Sequence, residues 1–295
     1  MLNRWIGILS VAAMLLANAA IVVQDVLPRW FPDDAPPSEA QLLRAGERRQ
    51  VQVGIYHADG WPVGCSWTRS HRKAVGGIVQ VVTTTVLGPI RLSGGMAVPR
   101  VRVETEITYR ANELRVDELE FSMFGLGLPI SLRGAAMSTG EFAARWQVAS
   151  QRGDFILDAG APAALGDVIR PFDRLPDLHV GQRWRLELLD PLSHILPQLR
   201  DSGVELEPIV IRVTGKTTIT HQGQPVETYV VDGGSATAYV AEDGRVLRQE
   251  VDVPLLGRLV LLDEPYDEAA LERAKRSVAV DWEAGRLDRD AAGGE

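Results

Sequence analysis

Between Arg100 and Ser150 apolar and polar residues alternate with a period of two, and no other feature of the chain excludes as many folds. From Arg100 to Arg110 the odd positions are Val101, Val103, Thr105, Ile107 and Tyr109, and the even ones are Arg100, Arg102, Glu104, Glu106, Thr108 and Arg110. Successive side chains of a strand point to opposite sides, so such a segment is a strand with one apolar and one polar face. Leu126, Leu128, Ile130 and Leu132 repeat the alternation, as do Phe142, Ala144, Trp146 and Val148 beyond the turn residues Ser138-Thr139-Gly140. Strands buried on both faces read as continuous apolar runs instead. The expected sheet is therefore an antiparallel meander, wet on one side, and not the parallel core of a nucleotide-binding fold.

The same reading extends to either side. Val51, Val53 and Ile55 alternate, Asp59-Gly60 supplies the positive φ of a tight turn, and the chain returns through Val63 to Ser70, which predicts a hairpin. A third strand spans Ile78 to Leu87, and another lies near Asp154 to Leu157. Residues 50–158 thus make a first β half. Residues 159–201 break the rhythm with Pro162, Pro171, Pro176, Pro191 and Pro197, helical candidates at 165–169 and 192–199, and one strand carrying Trp184, Leu186 and Leu188. A segment so rich in proline and apolar residues is expected to lie across a sheet face as a cover. Strands resume over 202–265, with a second Asp-Gly turn at Asp243-Gly244, and Pro265 opens a helix within 266–283 before a polar tail, 284–295.

At the N-terminus, Arg4 precedes an uncharged apolar run from Trp5 to Val23, about the length that spans a bilayer as a helix. Its Leu, Ile and Val residues favour insertion by roughly 0.3–0.6 kcal/mol each. Arg4 on the inner side leaves the body outside the cytoplasm, which predicts a single-pass protein of the inner, cytoplasmic membrane. Ala17-Asn18-Ala19 also has the small-x-small form of a cleavage site, so a removed signal segment is the alternative. Residues 24–49, with Pro28, Pro32, Pro36 and Pro37 and a short helix over 38–48, read as a semi-rigid connector. Nucleic acid is excluded as a partner by charge: 31 Lys and Arg are scattered among 39 Asp and Glu, for a net −8, where phosphate binding needs a basic stripe.

Catalytic templates fail in turn. There is no P-loop, G-x-G-x-x-G, H-E-x-x-H or G-x-S-x-G, and Gly125-Leu126-Gly127 lacks the spacing of a phosphate cradle. Cys65 is the single cysteine, so neither an intrachain disulfide nor a cysteine-rich metal site is available. The five histidines, His57, His71, His179, His194 and His221, show no ligand spacing, and no metal or cofactor is expected. A thiol nucleophile at Cys65 served by His57 or His71 is the one enzymatic alternative, since His57 and Cys65 flank the same predicted turn. Otherwise Phe121, Met123, Phe124, Leu128, Trp146 and Trp184, with Leu126 and Ile130, either form the core beneath the cover or line a cavity for a lipid or acyl chain.

Val53-Gly-Ile-Tyr, Asp59-Gly60 and Val63-Gly64 resemble the opening hairpin of bacterial envelope proteins in which a β-sheet domain precedes a transglutaminase-like domain. Val180-Gly181-Gln182-Arg183-Trp184, Asp190-Pro191, Arg212-Val213-Thr214-Gly215, Glu227-Thr228-Tyr229 and the run Glu242 to Glu250 follow in the same order, so the resemblance covers most of residues 50–265. These sheet domains are in turn similar to lipoprotein-carrier half-barrels. The resemblance implies a curved, partly open, half-barrel-like antiparallel sheet with an apolar concave face. It implies no activity, because the Cys, His, Asp constellation of a transglutaminase-like core is missing. The expectation is a mainly β, membrane-anchored, extracytoplasmic module that binds an apolar ligand or another envelope protein without catalysis; a purely structural envelope role is the further alternative.

Overall fold

The protein, as a computed structural model, is described over residues 35–37, 39–91, 97–110, 115–125, 129–157, 172–186, 209–253 and 256–277. A short helix α1 (Glu39–Leu42) leads into strands β1 (Arg48–His57), β2 (Pro62–Arg72), β3 (Ile78–Leu87), β4 (Ile90–Arg91), β5 (Ala97–Val98), β6 (Val101–Arg110), β7 (Arg115–Phe124), β8 (Ile130–Ala136), β9 (Phe142–Val148) and β10 (Gln151–Leu157). Then come β11 (Arg183–Leu186), β12 (Ile209–His221), β13 (Gln224–Asp232), β14 (Ala236–Ala241), β15 (Val246–Val253) and β16 (Gly257–Glu264). Helix α2, residues 268–277, follows β16.

Fourteen strands form one sheet in the order β10-β9-β8-β7-β6-β3-β2-β1-β16-β15-β14-β13-β12-β11, and β4 pairs with β5 in a separate ribbon. Every pairing is antiparallel, as the alternation requires; β1 joins β16 with Ile55 opposite Leu261, so both runs of strands share one surface. The sheet is open, ending at β10 and β11. Open sheets beyond about ten strands curl, and a cross-sheet contact shows that this one does. His221 on β12 and Asp263 on β16 are separated by three strands, about 19 Å in a flat sheet at the usual strand spacing. Their side chains, His221 Nε2 and Asp263 Oδ2, are 3.6 Å apart.

Apolar side chains of the inner face gather in two large clusters and a small one in which Leu43 lies with Val79, Val81 and Tyr109. One gathers Ile211, Val213, Val231, Val240, Leu259 and Leu261 from β12 to β16 with Val53 and Ile55 of β1, and Phe172, Leu175 and Leu178 of the expected cover pack onto it. The cover is pinned there by Gln249, whose buried side chain exchanges hydrogen bonds with the Phe172 backbone (3.3 and 2.8 Å). The second cluster belongs to β6 through β10. On the outer face α2 lays the fully buried Leu271 between Trp67 and Val86. Asp267 caps the helix, accepting from the Ala270 N–H at 3.0 Å. At its other end Arg102 donates to the Lys275 carbonyl at 3.1 Å while stacking over Phe124, which places a cation at the negative end of the helix.

Several expectations shift. The predicted helix 38–48 shrinks to α1, which ends at Leu42; Gly46 then takes a left-handed φ of 81° in a turn, and the first strand starts at Arg48. β7 was not expected as a strand. A bulge places Tyr109 opposite Val116 and Thr108 opposite Glu118, so Asp117 is an extra residue that breaks the period of two. The turns at Gly60 and Gly244 are present, with φ of 84° and 83°. Leu126, the helical candidates at 165–169 and 192–199, the strand end at Leu188 and the tail 284–295 lie outside the described residues. The expected membrane segment, residues 5–23, lies outside them too. Among the described residues no helix is long and apolar enough to cross a membrane.

Candidate functional site

On the inner side of β6–β10, register sets the apolar side chains in rows. One runs Val103, Met123, Ile130, Val148; the next Thr105, Phe121, Leu132, Trp146; a third Ile107, Leu119, Gly134, Ala144, Phe155. Two glycines let aromatic rings lie flat on the sheet. A Cβ at Gly153 would sit 2.7 Å from the Trp146 indole nitrogen, and one at Gly134 only 2.3 Å from a ring carbon of Phe142. Leu132 (1% exposed), Phe142, Phe121 and Ile130 are buried, whereas Val103, Met123, Trp146, Val148 and Phe155 are half-buried. The side chains of this cluster come from the strands themselves, and Leu43, ahead of β1, packs on Tyr109 at its edge. The neighbouring cluster, by contrast, has Phe172, Leu175 and Leu178 as its second layer.

Of the six residues expected to line one cavity, the five that are described are therefore distributed over three places. Phe121, Met123 and Trp146 do meet, on the inner side of β7 and β9. Trp184 belongs to the other, covered cluster. Phe124 faces the opposite way, toward α2, because it follows Met123 and successive strand residues alternate. Leu128 lies outside the described residues.

Between the two clusters the inner face turns polar. Ser66 and Thr85 bond at 2.8 Å and Thr68 and Thr83 at 3.1 Å, with Ser70 buried beside them. This hydroxyl ladder was not foreseen, although Ser66, Thr68 and Ser70 alternate visibly. The alternation marks Val63 to Ser70 as a strand, and only the pairing with β3 places its hydroxyls on the inner face.

On the outer side of the same strands lies an open groove of about 970 Å³ whose lining includes the charged Glu106, Glu118, Glu120, Arg133, Arg145 and Asp154. Five of these lie in one register row across β6 to β10: Glu106, Glu120, Arg133, Arg145, Asp154. Arg133 donates to Glu120 at 2.7 Å and Arg145 to Asp154 at 2.8 Å. The Asp154 carboxylate pushes the Arg145 guanidinium pKa up. Both pairs are solvent-exposed, where such contacts are worth little on their own.

Cys65 is placed where a thiolate is disfavoured. It shares the outer face with a network in which Tyr56 donates to Glu264 (2.5 Å), Gln52 donates to Glu264 (3.1 Å), and Trp67 and the Asp267 N–H both donate to Gln52 Oε1 (each 2.8 Å). Gly54 leaves room for the Glu264 carboxylate to lie against the strand. Burial, then the Glu264 charge, push the Cys65 thiol up to about 12. The hydrogen bond to Glu264, then burial, raise the Tyr56 phenol to about 12. His57 is engaged elsewhere, its Nδ1 lying 3.2 Å from Asp59 at the turn. His71 pairs in register with Arg48 and Gln80, at the other end of β2 from Cys65. Neither histidine is brought to the thiol, the reverse of what a cysteine nucleophile requires. Among the described residues no group of three or more His, Cys, Asp and Glu converges to hold a metal ion.

No family model matches the chain, and no curated protein matches it. Among solved structures it is similar to the crystal structure of a β-barrel-like protein of domain of unknown function DUF1849 from Brucella abortus. The TM-score is 0.36 at 8% identity, over 75% of this chain and 97% of that one. A likeness at that distance says nothing of activity or ligand.

Proposed function

We propose that this chain is a non-catalytic binding module of the bacterial envelope, anchored in the inner membrane by residues 5–23 with its body outside the cytoplasm, and that the inner side of β6–β10 receives the apolar chain of a lipid or acyl ligand. One observation carries the reading. Apolar side chains from five neighbouring strands gather on one face there, and pockets for apolar ligands are lined by such surfaces. The half-buried Val103, Met123, Trp146, Val148 and Phe155 supply the surface that an acyl chain would cover. Each CH₂ so buried favours binding by about 0.8 kcal/mol. A second reading, in which another envelope protein docks on the outer side, is favoured by the open charged groove there.

The test is to extract the full chain from its own membrane and identify bound lipid by native mass spectrometry, then titrate it with a brominated fatty acid, which quenches tryptophan on contact. The expected result is a co-purifying acyl lipid and quenching that falls when Trp146 is changed to Phe. No lipid and no quenching would overturn the reading and leave the groove as the binding surface.

A further inference from the structure

The end of the sheet where the chain enters is charged unlike the rest of this acidic protein. Residues 43–47 are tied to the end of β2 by three hydrogen bonds: Gly46 N–H to the Arg72 carbonyl, Arg72 N–H to the Glu47 carbonyl, and the Arg72 guanidinium to the Leu43 carbonyl. Register brings the strand ends together there, with Arg48 opposite His71, Arg72 opposite Val79 and Ile78 opposite Arg110. Arg44, Arg48, Arg49, Arg72, Lys73 and Arg110 thus collect at one rim, and Glu47, Asp117, Glu118 and Asp173 lie near them. Glu47 is committed to Arg49 at 3.1 Å and Asp117 to Arg110 at 3.3 Å, while the side chains of Arg48 and Lys73 have no ion-pair partner among the described residues. From the middle of this collar projects the β2–β3 turn, with Val75 at its tip 85% exposed.

We propose that this rim is a second membrane contact: Val75 dips into the headgroup region of the bilayer that holds residues 5–23, and Arg48 and Lys73 on either side of it bind anionic lipid headgroups. Position and charge agree on this occupant. The connector reaches the fold at this rim, so an anchored chain presents this end to the bilayer, and an apolar tip ringed by cations is what an anionic interface attracts. Trp61, 74% exposed, is the competing apolar tip. It lies in the β1–β2 turn at the far end of the same strands, beside Asp59, and would be held away from the bilayer. The inference rests on the proposed membrane anchor, and the experiment separates the two.

The full chain, with Cys65→Ser, is reconstituted into vesicles carrying anionic phosphatidylglycerol and doxyl-labelled lipid, and an environment-sensitive fluorophore is attached at Val75→Cys or at Trp61→Cys. Flotation reports anchoring separately. The expected result is flotation of both, quenching at position 75 and none at 61. Quenching at 75 should be lost in neutral phosphatidylcholine vesicles, in about 1 M salt, where charge interactions reach only about 3 Å, and in the double variant Arg48→Glu, Lys73→Glu. A chain that floats but is unquenched at 75, or is quenched equally at 61, overturns the rim contact while leaving the anchor standing. A chain that does not float, and is unquenched at 75, overturns both.

Discussion

Gly134 and Phe142 offer the sharpest check on how β8 and β9 are paired. Gly134 is not among the glycines with positive φ, so alanine there meets no backbone strain. Its Cβ would stand 2.3 and 2.7 Å from two ring carbons of Phe142 and 3.1 Å from the Ala143 carbonyl oxygen. Carbon contacts relax at about 3.5–4.0 Å, so the ring would have to retreat by roughly 1 Å. Phe142 is 2% exposed and has nowhere to go. Overpacking of this kind costs about 1–3 kcal/mol, offset by roughly 0.4–1 kcal/mol from the reduced freedom of the unfolded chain. Gly134→Ala should therefore lose roughly 1–2 kcal/mol net in urea denaturation followed by tryptophan fluorescence. Phe142→Ala alone should lose about 3–5 kcal/mol, since it leaves a cavity. In the double variant the new methyl occupies the vacated space, so its cost should not exceed that of Phe142→Ala, a coupling of about 1–3 kcal/mol. Costs that simply add, to within about 0.5 kcal/mol, or an alanine at 134 that stabilises the protein, would refute the packing and with it the register that sets Gly134 opposite Ala144.

Three further outcomes follow from the outer face. Iodoacetamide should leave Cys65 in the folded protein unmodified at pH 8, with reaction appearing only as pH approaches about 12; rapid alkylation at pH 8, read by mass spectrometry, would revive the cysteine enzyme. Tyr56 and Tyr266 are both raised from 10.0 to about 12, so the unfolded chain loses these protons first. Their contribution to stability is complete below pH 10 and fades as pH climbs toward 12, and for Tyr56 Glu264→Gln should narrow that window in a titration of tyrosinate absorbance. Leu271→Ala should cost about 2–5 kcal/mol, because Leu271 is fully buried against Trp67 and Val86; a loss below about 0.5 kcal/mol would mean that α2 is not docked on β2 and β3.

What the sequence determined by itself is local. The alternation of Val101 to Tyr109 against Arg100 to Arg110 was enough for a half-wet antiparallel strand, because side-chain direction in a strand depends on nothing beyond the residue's parity. Asp59-Gly60 and Asp243-Gly244 were legible as turns because positive φ favours glycine wherever it occurs. The same rule breaks at Asp117, where one bulged residue shifts Val116 out of phase with Leu119, Phe121 and Met123, although those three alternate with Glu118, Glu120 and Ser122. Parity also separates Phe124 from Phe121 and Met123, yet an apolar residue on the outer face looks like a core residue until α2 is seen lying over it. The pairing of β1 with β16, across some two hundred residues of chain, and the curl that carries His221 to Asp263 were decided only by the tertiary structure. So was the division of one apolar surface into a cluster over β12 to β16 and β1 and another over β6 to β10. Backbone hydrogen bonding is indifferent to which strand supplies the partner, and the choice is made by which side chains, brought together from distant parts of the chain, bury one another best.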